Sequence, residues 1–410
     1  MRQHLEALAK DYLTKLCIHI QDRSVGSQGN RDATDFFEKE LQALGWKTDK
    51  TEMDVMDWEG GEALLQCEGK SFKAFSSPYS LGCSVKAELV SISNFEELGN
   101  TDTNEKIVLL HGEIAKEQLM PKNFIFYNPE THQKIISLLE KKNIAAIITA
   151  TGRNAALAGG AYPFPLIEDG DFDIPSVFMT EEEGRILLGC AGKPVTLESP
   201  ARRISEKAFN IKAVKGTGPK RIVITAHIDA KKGIPGAIDN ATGVIILLLL
   251  ARRLQQNEET CPIELVALNG EDYYAVPGQM EYLRQNENQF GNMLMNINID
   301  GAGYLEGDIA FSLFNLPEPL ESDFKALLEK FDGVTEGAQW PQGDHSMFVQ
   351  LGVPAIAVSS QWFIEHMETQ DITHTPKDNP DIVDCSKLVR ITDVLVEWIE
   401  RLNRKQDKNY

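Results

Sequence analysis

The chain has 410 residues, 42% apolar and 25% charged, a composition that excludes a disordered or fibrous protein and suits about two or three globular domains. Its 41 basic and 61 acidic side chains give a formal net charge of −20, which argues against nucleic acid or an anionic lipid surface as a partner.

The N-terminus reads as a helix, with Leu5, Leu8, Tyr12, Leu13 and Leu16 at three- and four-residue steps. Charges interrupt its apolar positions, so no signal-peptide core is expected. A turn-rich break, Arg23-Ser24-Val25-Gly26-Ser27-Gln28-Gly29-Asn30, leads to a second helix that carries Ala33, Phe36, Phe37, Leu41 and Leu44 on one face and Gly45 at its end. From residue 58 to 200 the pattern changes to short strands at 86–92, 106–110, 123–127, 144–149 and 174–179, with one amphipathic helix at 131–141. This stretch is expected to be a mainly β domain inserted into a discontinuous domain of residues 1–57 and 201–410.

From residue 221 onward strands and helices alternate, which predicts an α/β domain with a mostly parallel sheet flanked by helices. The longest apolar run, 244–251, is closed by Arg252 and Arg253. It falls short of the roughly 20 residues of a membrane-spanning helix, so no membrane partner is expected. The six cysteines are scattered and form no CxxC pair, as in reduced thiols of a cytoplasmic protein.

The polar residues that end the apolar strands carry the chemistry. RIVITAHID ends in His227 and Asp229, IELVALNGED in Glu271 and Asp272, and MNINID in Asp300. Sites of open α/β sheets lie beyond the carboxyl ends of the strands, so these side chains should converge. Asp239 follows in GAIDNATG and His374 in THTPKDNPD. Singly, each is an ordinary turn or cap residue. Together, two imidazoles and three carboxylates suit divalent zinc, and the spare Glu271 suits a base.

On these motifs, together with GDHSMF at 343–348, the sequence resembles the co-catalytic zinc exopeptidases of metallopeptidase family twenty-eight, which include leucyl-type aminopeptidases and aminopeptidase Y. The resemblance covers about residues 221–398 and also 23–45. Residues 58–200 resemble a protease-associated domain through KIVLLHG, IAAIITA and DIPSVFMT.

The resemblance implies two zinc ions. His227 and Asp300 would hold one, Asp272 and His374 the other, and Asp239 both. Glu271 would be the general base for a water activated between them, and Asp229 would orient His227. Asp344 and His345 match an Asp-His pair beside the site. His345, Tyr273 and Trp340 are candidate substrate contacts. Position 272 departs from the family, which usually has Glu there, and Tyr273-Tyr274 with the Ala275–Gly278 run replaces smaller residues.

The implied activity is hydrolysis of N-terminal residues from short peptides. The absence of an arginine cluster in the catalytic half is the reason for preferring this to a carboxypeptidase. A non-peptide amidohydrolase with the same metals and a non-catalytic binding relative are the other readings, and an oligomer is compatible with all of them.

Overall fold

The apolar run at 244–251 forms most of the helix Thr242–Arg253, in which every side chain from Thr242 to Ala251 is buried. Such a helix needs cover on all sides. In this computed structural model, which describes residues 2–153, 155–255 and 261–406, the cover is a sheet on one side and the helices Arg2–Thr14, Gln28–Ala43 and Cys385–Gln406 on the other. The first helix continues into a short wide turn, Lys15–His19. The second is capped by Ser27, whose hydroxyl accepts from Asn30 N at 3.0 Å, and is closed by Gly45 at φ +77°.

Among the described residues the sheet has eight strands in the order Lys47–Glu59, Arg202–Lys215, Ile263–Leu268, Arg221–His227, Met293–Ile299, Ala355–Ser360, Ile309–Phe314 and Val334–Glu336. The four from Ile263–Leu268 to Ala355–Ser360 run parallel, and all four are buried nearly throughout, as a sheet covered on both faces requires. The sheet as a whole is mixed. Arg202–Lys215 pairs antiparallel with Ile263–Leu268, and Ile309–Phe314 antiparallel with Ala355–Ser360. The link from Met293–Ile299 to Ile309–Phe314 holds no crossover helix, and without one the chain returns in the opposite direction. The fold is thus a mixed α/β one.

Two compact units are present. The first comprises Met1–Val55, Lys207–Met367 and Pro376–Tyr410, and the second Met56–Glu206 and Glu368–Thr375. The second unit contains a closed barrel in the order Glu62–Cys67, Lys70–Ser76, Ser176–Thr180, Ala146–Thr151, Ile107–Leu110, Cys83–Ile92 and Pro194–Ser199. One apolar cluster fills it, including Leu65, Leu89, Leu109, Ile148 and Val195. A second cluster underlies the helix Glu130–Glu140.

The predicted strand at 123–127 is absent. This segment is a loop that exposes Ile125 and Tyr127. It is bracketed by Pro121 and Pro129, and Asn128 Nδ2 donates to Pro121 O at 3.0 Å. The loop is therefore closed on itself by side-chain and turn bonds, with no ladder for a strand to join.

Among the described residues no helix is long and apolar enough to cross a membrane.

Candidate metal centre

Three ligand-type side chains of the first unit meet beyond the carboxyl ends of the parallel strands. His227 is the last residue of its strand, and Asp300 directly follows Met293–Ile299. Asp239 comes from the turn Ala237–Ala241 that opens the buried helix. One ligand atom from each lies within 4.8 Å of the other two. His227 Nε2 is 3.1 Å from Asp239 Oδ1 and 3.6 Å from Asp300 Oδ1. The imidazole is buried, and neither ring nitrogen makes a well-formed hydrogen bond.

Glu271 and Asp272 are brought to the same end of the sheet by the loop after Ile263–Leu268. Asp229 holds that loop. Its Oδ1 accepts from Gly270 N at 2.7 Å and Glu271 N at 3.3 Å, and its Oδ2 accepts from Asp272 N at 3.0 Å. Asp229 is fully buried, and its Oδ1 lies 3.6 Å from His227 Nδ1. One carboxylate therefore grips three successive amides while facing the histidine. Asn269 anchors the same loop, exchanging two amide bonds of 2.9 Å with Asn30 and donating its backbone N–H to Asn210 Oδ1 at 3.0 Å.

The other residues singled out from the sequence are distributed as follows. Asp344 is buried and accepts from Gln279 Nε2 at 2.6 Å. Its neighbour Gly343, at φ +94°, approaches Asp300 so closely that a Cβ would stand 3.4 Å from Asp300 Oδ2 and 2.9 Å from the Trp340 ring. That contact and the positive φ explain glycine here. His345 is buried, with Nε2 3.0 Å from Trp340 O and its ring edge-to-face with the Trp340 indole. Tyr273 is buried and its ring lies 4.5 Å from that of Tyr274. His374 has φ +61° and lies in the segment Glu368–Thr375 of the second unit, where Gly160 N donates to Thr373 O at 3.1 Å.

The electrostatics are those of crowded acids. Burial raises the Glu271 carboxyl well above the usual range; the charge of His227 opposes this, while Asp300, Asp272 and Asp344 add to it. Asp300 is raised by burial too, against the pull of His227. Burial pushes Asp344 up to about 7. Burial alone would lower His227, but Asp229, Asp239 and Asp300 outweigh it and raise the imidazole well above its ordinary value. A divalent cation fits this donor set. The imidazole nitrogen and carboxylate oxygens are zinc ligands by type, and a cation among them would offset the mutual repulsion of the carboxylates.

The comparisons with known proteins agree. Residues 210–399 match the sequence model of peptidase family M28. This stretch is similar to the M28 peptidases. It contains His227, Asp229, Asp239, Glu271, Asp272, Asp300, Asp344, His345 and His374. Leucine aminopeptidase 2 of Trichophyton equinum is 24% identical over 360 residues, covering 82% of this chain and 68% of that protein. Aminopeptidase YwaD of Bacillus subtilis is 23% identical over 256 residues, covering 60% of this chain and 55% of the other. Among solved structures, the zinc aminopeptidase BSAP of Bacillus subtilis superposes with a TM-score of 0.74 at 19% identity, covering 97% of this chain and 94% of that one. At that identity the likeness concerns the fold.

Two polar residues escaped the sequence reading. Arg23 and Asp378 are both buried in the first unit and bond to the loop that carries Asp239. Asp378 stands in the THTPKDNPD motif, which was the only signal for it. Arg23 stood in a turn-rich segment with none.

Proposed function

We propose that the protein is a zinc-dependent aminopeptidase that removes N-terminal residues from short peptides. The observation that carries this reading is the meeting of His227, Asp239 and Asp300 within 4.8 Å at the strand ends, beside a glutamate that burial keeps ready to hold a proton. The relatives named as aminopeptidases support the choice of substrate end.

In this reading His227 and Asp300 would hold one zinc, Asp272 and His374 would hold a second, and Asp239 would serve both. Zinc so held would supply Lewis acidity toward the scissile carbonyl and acidify water near neutral pH. Glu271 takes the proton of the attacking water on its carboxylate and delivers it to the leaving amine nitrogen. Asp229 keeps Glu271 and Asp272 in place through the three amides it binds. His345, Trp340 and Tyr273 line the substrate side. Residues 58–200 form a protease-associated-like domain in the same reading.

The test is a mass-spectrometric time course on a peptide pool with free, N-acetylated and C-amidated ends, with zinc added. Stepwise loss from free N-termini alone is the expected result. Loss from C-termini would make the protein a carboxypeptidase. No cleavage by a zinc-loaded protein would overturn the peptidase reading.

A further inference from the structure

The loop that presents Asp239 is not held by regular secondary structure. Asp239 (φ −118°, ψ 82°) and Asn240 (φ −141°, ψ 44°) depart from helical angles although they lie inside a helical turn. Gly236, at φ +58°, precedes them, and a Cβ on it would come within 2.6 Å of Ala230 Cβ and Asp239 O and 3.0 Å of Arg23 Nη2. A backbone of this shape leaves amides and carbonyls that other groups must satisfy.

Two buried, oppositely charged side chains do so. On one side Asp378 Oδ1 accepts from Ile238 N at 2.7 Å and its Oδ2 from Asp239 N at 3.1 Å. On the other, Arg23 donates Nη1 to Pro235 O and Nη2 to Gly236 O, each at 2.8 Å. Arg23 Nε also donates to Ile228 O at 3.1 Å, one residue beyond His227, and Nη1 to Leu16 O at 2.9 Å. Asn240 Nδ2 adds a bond to Ile299 O at 2.8 Å, one residue before Asp300. Several bonds of these groups thus end on, or next to, Asp239, His227 and Asp300, and others hold the Pro235-Gly236 approach to Asp239. Both charged residues are almost fully buried.

We propose that Arg23 and Asp378 form a two-sided clamp, cation on carbonyls and anion on amides, that fixes the Asp239 loop for metal binding. Both are positioning residues and neither is a ligand. The proposal rests on the metal reading given under Proposed function. Because Asp239 is the shared ligand in that reading, loosening the clamp weakens both ions together.

The experiment measures zinc affinity of the full chain by competition with a chromophoric chelator, and the visible spectrum of the cobalt(II)-loaded protein. Circular dichroism and melting of the metal-free form are followed in parallel. Asp378→Asn keeps the size of the side chain but turns an amide donor toward one of the two N–H groups. It is expected to fold like wild type, to bind zinc about 10–100-fold more weakly, as loss of a supporting partner typically does, and to shift the cobalt bands.

Unchanged affinity with an unchanged spectrum overturns the clamp. If Asp378→Asn does not fold, Arg23→Lys decides. It keeps the charge but gathers its three donors on one nitrogen, so it cannot span the four carbonyl groups that Arg23 binds, and zinc affinity equal to wild type would overturn the proposal. Wild-type protein that takes up no zinc would instead overturn the metal reading, and the clamp with it. Weakened zinc binding without loss of peptide cleavage at saturating zinc supports the clamp independently of the substrate assignment.

Discussion

The two units use the same kind of strand for different ends. In the first, Arg221–His227, Ile263–Leu268 and Met293–Ile299 are buried parallel strands. In the second, Ile107–Leu110, Ala146–Thr151 and Ser176–Thr180 are also parallel and largely buried. What differs is the use of the polar groups that follow. In the second unit, polar groups after Cys83–Ile92 and at the end of Ser176–Thr180 cap local structure. Asn94 accepts from Glu97 N at 2.9 Å, Thr180 accepts from Glu183 N at 3.2 Å, and Glu97 accepts from Ser93 N at 2.7 Å. In the first unit the carboxylates of Asp239 and Asp300 point at one imidazole from separate segments of the chain. Apolar strands therefore announce a buried sheet, and only the targets of the strand-end groups announce chemistry.

The sharpest way to break this contrast is Glu271→Gln against Glu97→Gln. The first should lower peptide turnover by about 10²–10⁴-fold, as removal of a positioned acid–base group does, with zinc content unchanged. The second should leave turnover at the wild-type level. Retention of more than about a tenth of the rate in Glu271→Gln, against that expected range, would show that the strand-end glutamate is no more chemical than its counterpart.

Next in size is packing. Leu248→Ala in the buried helix and Leu109→Ala in the barrel should each cost about 2–5 kcal/mol, the usual range for a fully buried leucine. Hydrogen exchange should show the loss of protection concentrated in the unit that carries the substitution. Equal loss in both units would mean that they do not differ as cooperative bodies.

A pH effect sharpens the comparison further. Burial lowers His345 to about 4, against the opposing bond to Trp340 O. As pH falls through about 6.5, the ordinary histidine value, the unfolded chain takes up a proton that the folded chain refuses until about 4. Stability is therefore complete above pH 6.5 and declines as pH falls toward 4, by on the order of 3 kcal/mol. Denaturant titrations at several pH values should show this slope, and His345→Gln should flatten it.

The smallest effects are at helix caps, one in each unit. Ser27→Ala and Thr180→Ala should each cost about 0.5–2 kcal/mol, measured by urea denaturation. A much larger loss at Ser27 would mean that it serves the site through the Asn30–Asn269 contact as well as the helix.

Much of the first unit was legible. The strand ending at His227 stands out because both sheet faces are covered, so residues 222–226 are nearly all apolar. The N-terminal helices follow from periodicity and from Gly45 at the end of the second. The second unit was harder. Residues 123–127 are rich in aromatic and β-branched side chains like a strand, but prolines on either side and the Asn128 bond make them a loop. The hairpin of Glu62–Cys67 and Lys70–Ser76 turns on Glu68 and Gly69, both at positive φ, a pair less distinctive than Asn-Gly. The clamp of Arg23 and Asp378 could not be read at all. Side chains that bond to backbone amides and carbonyls more than 130 residues away leave no spacing rule behind.

The helix Cys385–Gln406 has a consequence for how the protein is made. Leu388, Ile391, Leu395, Trp398 and Leu402 belong to the same core as Leu5 and Tyr12 of the first helix and Leu247 and Leu248 of the buried one. A ribosome delivers the opening helix hundreds of residues before the closing one. Until that last segment emerges, the most oily stretch of the chain lacks one of its covers, and a nascent chain in this condition is prone to aggregate. Burial of this core must therefore wait until residues 385–406 have been made.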